Sequence, residues 1–139
     1  MNSRFLRLAL LGLLFFVMTG CATNRLIEHG IQPQIKGTQP VYDIEVLYGK
    51  EVINFRGIRP PGSGGGWNAP MPIPDSMTVK WTVNNLVKEV VVPLNGKLSQ
   101  ADRIANWRLY FYEDCLEVWR VDDDPSSRYY FKAEVKVFP

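Results

Sequence analysis

The chain has 139 residues, with 16 Lys and Arg against 14 Asp and Glu, two cysteines and a single histidine. This length suits one domain with a real core. Both arginines of the first 20 residues precede an apolar run, so residues 21–139 hold 14 charges of each sign. A neutral chain lacks the clustered basic face that nucleic acid needs, so no nucleic-acid partner is expected.

Arg4 and Arg7 are followed by an 11-residue apolar run from Leu8 to Met18, then Thr19 and Gly20. A charged start, an apolar middle and small residues at the end form a secretory signal. A transmembrane helix needs roughly 20 apolar residues, so this run is too short to remain as a span. Met18-Thr19-Gly20-Cys21 resembles the lipobox of bacterial lipoproteins. The resemblance implies cleavage before Cys21, a diacylglyceryl thioether on its sulfur and an acyl group on its new amine. Anchors with more than one acyl chain are stable. Ala22, standing where an Asp commonly retains such proteins in the inner membrane, points by resemblance to the outer membrane. The alternative is an ordinary cleaved signal with a coincidental cysteine. The expected plan is a signal at 1–20, a lipidated cysteine and tether at 21–39, and a β-rich domain at 40–139.

Residues 22–39 carry Gly30, Pro33 and Gly37 without a sustained period and read as the tether, with His29 inside it. Val41 to Tyr48 alternates, with Tyr42, Ile44, Val46 and Tyr48 on one face, which predicts a half-buried strand. Gly49-Lys50 turns the chain into a short antiparallel partner at 52–56. Gly57 to Pro74 holds five prolines and the run Gly62-Ser63-Gly64-Gly65-Gly66, and reads as a long loop. Such loops are often functional, and Trp67 and Met71 sit where exposed apolar anchors could meet a partner.

Met77, Val79, Trp81 and Val83 alternate with polar residues, and Asn84-Asn85 offers a hairpin turn. Val90-Val91-Val92 in the returning strand suggests burial on both faces, or a bulge. Ser99 and Asp102 resemble a helix cap, which predicts a short helix from Gln100 to about Asn106. Three strands close the chain: Trp107–Tyr112, Cys115–Val121 and Tyr129–Phe138, the last with Tyr129, Phe131, Ala133, Val135 and Val137 facing inward. The fold expected is all-β, mainly antiparallel: about seven strands in a sandwich or curled sheet, with one short helix.

Little here promises chemistry. With Cys21 lipidated, Cys115 has no intramolecular partner and is expected to be buried and inert; the alternative is an intermolecular disulfide or a catalytic thiol. Asp122-Asp123-Asp124 lacks the spaced ligands of a calcium loop and reads as a solvated turn or an acidic patch for a basic partner. The glycine run is followed by Trp67-Asn68-Ala69-Pro70 rather than by Lys and a helix, so it is no phosphate cradle. No Gly-x-Ser-x-Gly element occurs. The expectation is a protein that is not an enzyme, with no catalytic residues, metal or cofactor.

Gly64-Gly65-Gly66-Trp67-Asn68-Ala69-Pro70-Met71-Pro72, followed by Val79-Lys80-Trp81, resembles a group of small proteobacterial lipoproteins. That group includes immunity proteins against lipase effectors of type VI secretion. The similarity covers about residues 40–95. It implies a periplasm-facing plug on the outer membrane that binds and inhibits a phospholipase effector. Trp67, Asn68 and Met71 are then the candidate contacts, and Asp122, Asp123 and Asp124 the steering charges. A structural or assembly lipoprotein of the envelope is the alternative. A small-ligand binder is a third reading and would need an enclosed pocket.

Overall fold

The computed structural model describes residues 27–95, 104–123 and 132–139. Its nine strands are β1 (Ile27–Ile35), β2 (Val41–Tyr48), β3 (Glu51–Phe55), β4 (Trp67–Met71), β5 (Ser76–Val83), β6 (Leu86–Pro93), β7 (Ile104–Phe111), β8 (Leu116–Asp123) and β9 (Lys132–Phe138). They form a five-stranded sheet, β4-β1-β7-β8-β9, and a four-stranded sheet, β3-β2-β5-β6. All neighbours are antiparallel except β1 and β7. The chain is an all-β sandwich, and one apolar core drawn from both sheets fills the space between them.

The hairpins follow from local chemistry. Asn84 and Asn85 both adopt positive φ (50° and 62°), the primed turn whose twist matches its strands. Gly49, at φ 61°, turns β2 into β3. On β5 the expected inward set, Met77, Val79, Trp81 and Val83, is fully buried. On β7, Trp107, Leu109 and Phe111 are buried too.

Several expectations need correction. The tether reading fails for residues 27–35, which form β1 inside the larger sheet. Gly30 is needed there, because a Cβ would lie 2.5 Å from both the Trp67 carbonyl and Asn106 Oδ1. Pro33 is tolerated because its carbonyl accepts from Gly64 N (3.0 Å). Its missing N–H falls on that same loop side, so the ladder to β7 loses nothing. The loop at 57–74 contains β4, a five-residue edge strand in register with β1 from Ile27↔Met71 to Ile31↔Trp67. Edge position is what lets Pro70 sit in a strand. The described residues therefore hold nine strands, against about seven expected.

On β2, a register shift between Tyr42 and Glu45, with Asp43 at φ 50°, breaks the simple alternation. Val41 is buried instead, and Tyr42 is 42 % exposed. β6 is an edge strand, not one covered on both faces: Val87 and Val91 point outward and are mostly exposed. Ile104–Asn106, expected at the end of a helix, belong to β7; 100–103 lie outside the described residues. β9 starts at Lys132, and Val135, expected inward, is 41 % exposed. Its register, opposite Arg120 and so in line with Trp107, keeps it on the inner side, but β9 is the edge strand of the sheet. Tyr129 and Phe131 lie outside the described residues.

The sandwich has two ends. At the leading end β1 begins, β2 turns at Gly49, and Ile104 pairs with Asp122. At the trailing end lie the Asn84-Asn85 turn and the β7–β8 turn, where Lys36 and Gly37 donate to the Phe111 carbonyl.

Candidate functional site

Strand β4 presents alternate residues to two surroundings. Trp67, Ala69 and Met71 are half-buried, whereas Asn68 and Pro70 are exposed. Trp67 and Met71 pack against the core, and the Trp67 ring stands edge-on to Tyr48 at 6.1 Å. They are therefore not the freely exposed anchors expected from the sequence; the period-two geometry of a strand turns them toward the sandwich. Asn68 is the candidate contact left facing outward, and its amide reaches Glu28 Oε1 at 3.4 Å. The outer backbone edge of β4 pairs with no other strand among the described residues.

Beneath β4 lies a polar cluster that the sequence did not announce. His29, expected in the tether, is 1 % exposed. Its Nε2 is 2.7 Å from Tyr48 Oη, which also accepts from Trp107 Nε1 at 2.7 Å. Trp107 Nε1 can only donate, so Tyr48 Oη accepts from it; the direction of the His29–Tyr48 bond is set by the His29 tautomer. One hydroxyl thus joins β1 and β7 of one sheet to β2 of the other. Burial drives the Tyr48 phenol well above its ordinary pKa, only partly offset by the Trp107 bond. A phenol so firmly protonated is a structural clasp rather than a base.

Asp122 and Asp123 sit at the end of β8, opposite Ala133 and Lys132. Asp124 lies outside the described residues, as does Cys21. Met71 and Asp122 share the leading end of the sheet, three strand spacings or about 14 Å apart. The topology thus brings Met71 and Asp122 to one end, although they are 51 positions apart in sequence.

The far corner is different. Cys115, expected to be buried, is exposed, because it lies in the β7–β8 turn rather than in a strand. It borders an open groove of about 480 Å³ between β6 and the ends of β8 and β9, walled by Trp81, Val90, Leu116 and Phe138. The same turn is pinned from two sides. Glu113 accepts from the Thr38 amide and from Thr38 Oγ1 at 2.7 Å, and its own carbonyl accepts from Lys88 Nζ at 2.8 Å. The bonds from Thr38 pull the Glu113 carboxyl down to about 2.

The outer face of the larger sheet carries linked polar residues. Arg108 pairs with Glu134, and Lys136 reaches Glu117 at 2.5 Å. The bond from Lys136, then that from Trp119, lowers the Glu117 carboxyl below its usual range. These groups pair with one another across the face, whereas the buried Arg108 Nε has no hydrogen-bond partner among the described residues. Among the described residues no group of three or more His, Cys, Asp or Glu could hold a metal ion, and no helix is long and apolar enough to cross a membrane. No protein-family model, no curated protein and no solved structure matches the chain.

Proposed function

We propose that the chain is a lipid-anchored, periplasm-facing immunity protein of the outer membrane that binds and inhibits a phospholipase effector of type VI secretion. The observation that carries this reading is the placement of the segment behind the resemblance. Residues 67–71 are bound in register to β1 as an edge strand, with their outer backbone row unpaired among the described residues. An unpaired edge on a rigid sheet offers main-chain donors and acceptors to an extended segment of a partner. Asp122 and Asp123, on the same end, add negative charge that speeds encounter with a basic surface. Inhibition then follows from occupying the partner's cleft or its lipid-facing rim, with no chemistry by this chain.

The test is capture with the tagged, membrane-anchored chain from its native cell, followed by an assay of the captured protein on phospholipid. A phospholipase whose turnover falls as the chain is added supports the reading. Capture of envelope-assembly components without a lipase replaces it with the structural or assembly alternative. The informative variant is Asn68→Trp, which places bulk on the outward face of β4. It should weaken inhibition and leave thermal stability unchanged, whereas Trp67→Ala lowers both because Trp67 also packs on the core.

A further inference from the structure

The distance from the anchor to the fold restricts how the domain can stand on a membrane. Strand β1 begins at Ile27, not near residue 40. Only six Cα–Cα steps separate Cys21 from Ile27, a reach of no more than about 20–22 Å even fully extended. The sandwich is longer than that: β1 has nine residues, which span about 26–30 Å. The anchored chain enters at the leading end, so that end lies within about 20 Å of the lipid surface. Turning the domain over, trailing end down, would need a tether longer than the strand.

We propose that the leading end of the sandwich is held against the phospholipid headgroup layer, with the β2–β3 turn at Gly49-Lys50 and the segment Met71–Pro74 facing the bilayer. The trailing end, with Cys115 and its groove, then faces away. The inference rests on lipidation of Cys21, as the proposed function does, and it goes further: a partner reaching β4 and Asp122 must do so in the thin layer at the membrane. Gly49 lies beside both Met71 and Pro74, so the turn and this segment form one surface. The described charged residues at this end, Glu28, Lys50, Glu51, Asp75, Asp122, Asp123 and Lys132, are mixed in sign and net acidic. Among the described residues no basic patch there draws the domain to anionic lipid. The orientation follows from tether length.

The test uses the full lipidated chain in phosphatidylethanolamine–phosphatidylglycerol vesicles that carry a headgroup-labelled acceptor lipid. The alkylated Cys21 takes no dye, so the native chain is labelled only at Cys115, at the trailing end. The Cys115→Ser, Lys50→Cys variant is labelled at the leading end. Energy transfer to the lipid should be roughly twofold or more higher from position 50, given the strand-length separation of the two ends. Inserting a flexible Gly-Ser segment of about 20 residues after Ala22, with an r.m.s. length of about 25 Å, should bring the two efficiencies together. Equal or reversed transfer without the insert, in protein that floats with the vesicles, overturns the orientation and leaves the anchor standing. Failure to float overturns the anchor, and the orientation with it. A ratio unchanged by the insert overturns tether length as its cause.

Discussion

Tyr48 illustrates how much one side chain can carry. Its ring fills core space and its hydroxyl satisfies Trp107 and His29, buried polar groups from the opposite sheet. Trp81 is the contrast: it is as buried as Trp107, yet its indole nitrogen has no hydrogen-bond partner among the described residues. Trp107→Phe breaks a bond and leaves Tyr48 short of a donor; Trp81→Phe loses only volume. In urea unfolding, Trp107→Phe should cost about 1–2 kcal/mol more than Trp81→Phe, and equal losses would mean that the clasp contributes nothing. Glu113 gives a pH signature. Its carboxyl titrates near 4.5 when free and near 2 in the fold, so the folded state binds that proton less readily than the unfolded one. Its stabilisation is complete above about 4.5 and is lost as pH falls from there to about 2. The melting temperature should drop across that window, and Glu113→Gln should flatten the drop. An unchanged slope in the variant would assign the acid sensitivity to other carboxylates, with Glu117 first among them because its shift has the same sign.

Among the elements, β1 organises the larger sheet, running antiparallel to β4 and parallel to β7. A parallel pair needs a long crossover, and here the whole smaller sheet and β4 lie between the two strands in sequence. The β5–β6 hairpin, by contrast, is local. Both Asn84 and Asn85 sit in the left-handed region, which Asn tolerates and Gly prefers. Asn85→Gly converts the turn to the favoured Asn-Gly pair and should raise stability by about 0.5 kcal/mol, read as a higher urea midpoint at unchanged m-value. A lower midpoint would show that the Asn85 side chain contributes more than the turn strain costs.

For the molecule as a whole, the leading end of the sandwich gathers the β2–β3 turn, Met71 and the end of β8, and it is the end at which β1 begins. Cys21→Ser removes the sulfur that would carry the lipid. The variant chain should move from the detergent phase to the aqueous phase on detergent partitioning, with an unchanged melting temperature for the domain. Retention in the detergent phase would point to attachment by some other means.

Much of this architecture was legible in the residues. Alternation on β5 named its buried face, Asn84-Asn85 and Gly49 named the β5–β6 and β2–β3 turns, and together they pointed to an all-β sandwich or curled sheet, because a two-residue period and a two-residue turn are local properties of the backbone. β1 and β4 were not legible. Gly30, Pro33 and Pro70 argue against strands when read locally, and they are accommodated only by neighbours distant in sequence: the Trp67 carbonyl crowding Gly30, Gly64 bonding the Pro33 carbonyl, and an unpaired edge beside Pro70. The inward turn of Trp67, the burial of His29 and the exposure of Cys115 share that origin. Composition and spacing determined which segments pair easily with themselves; the tertiary structure alone decided which distant segments pair with one another, because that choice depends on contacts the chain makes only once both sheets have closed on the core.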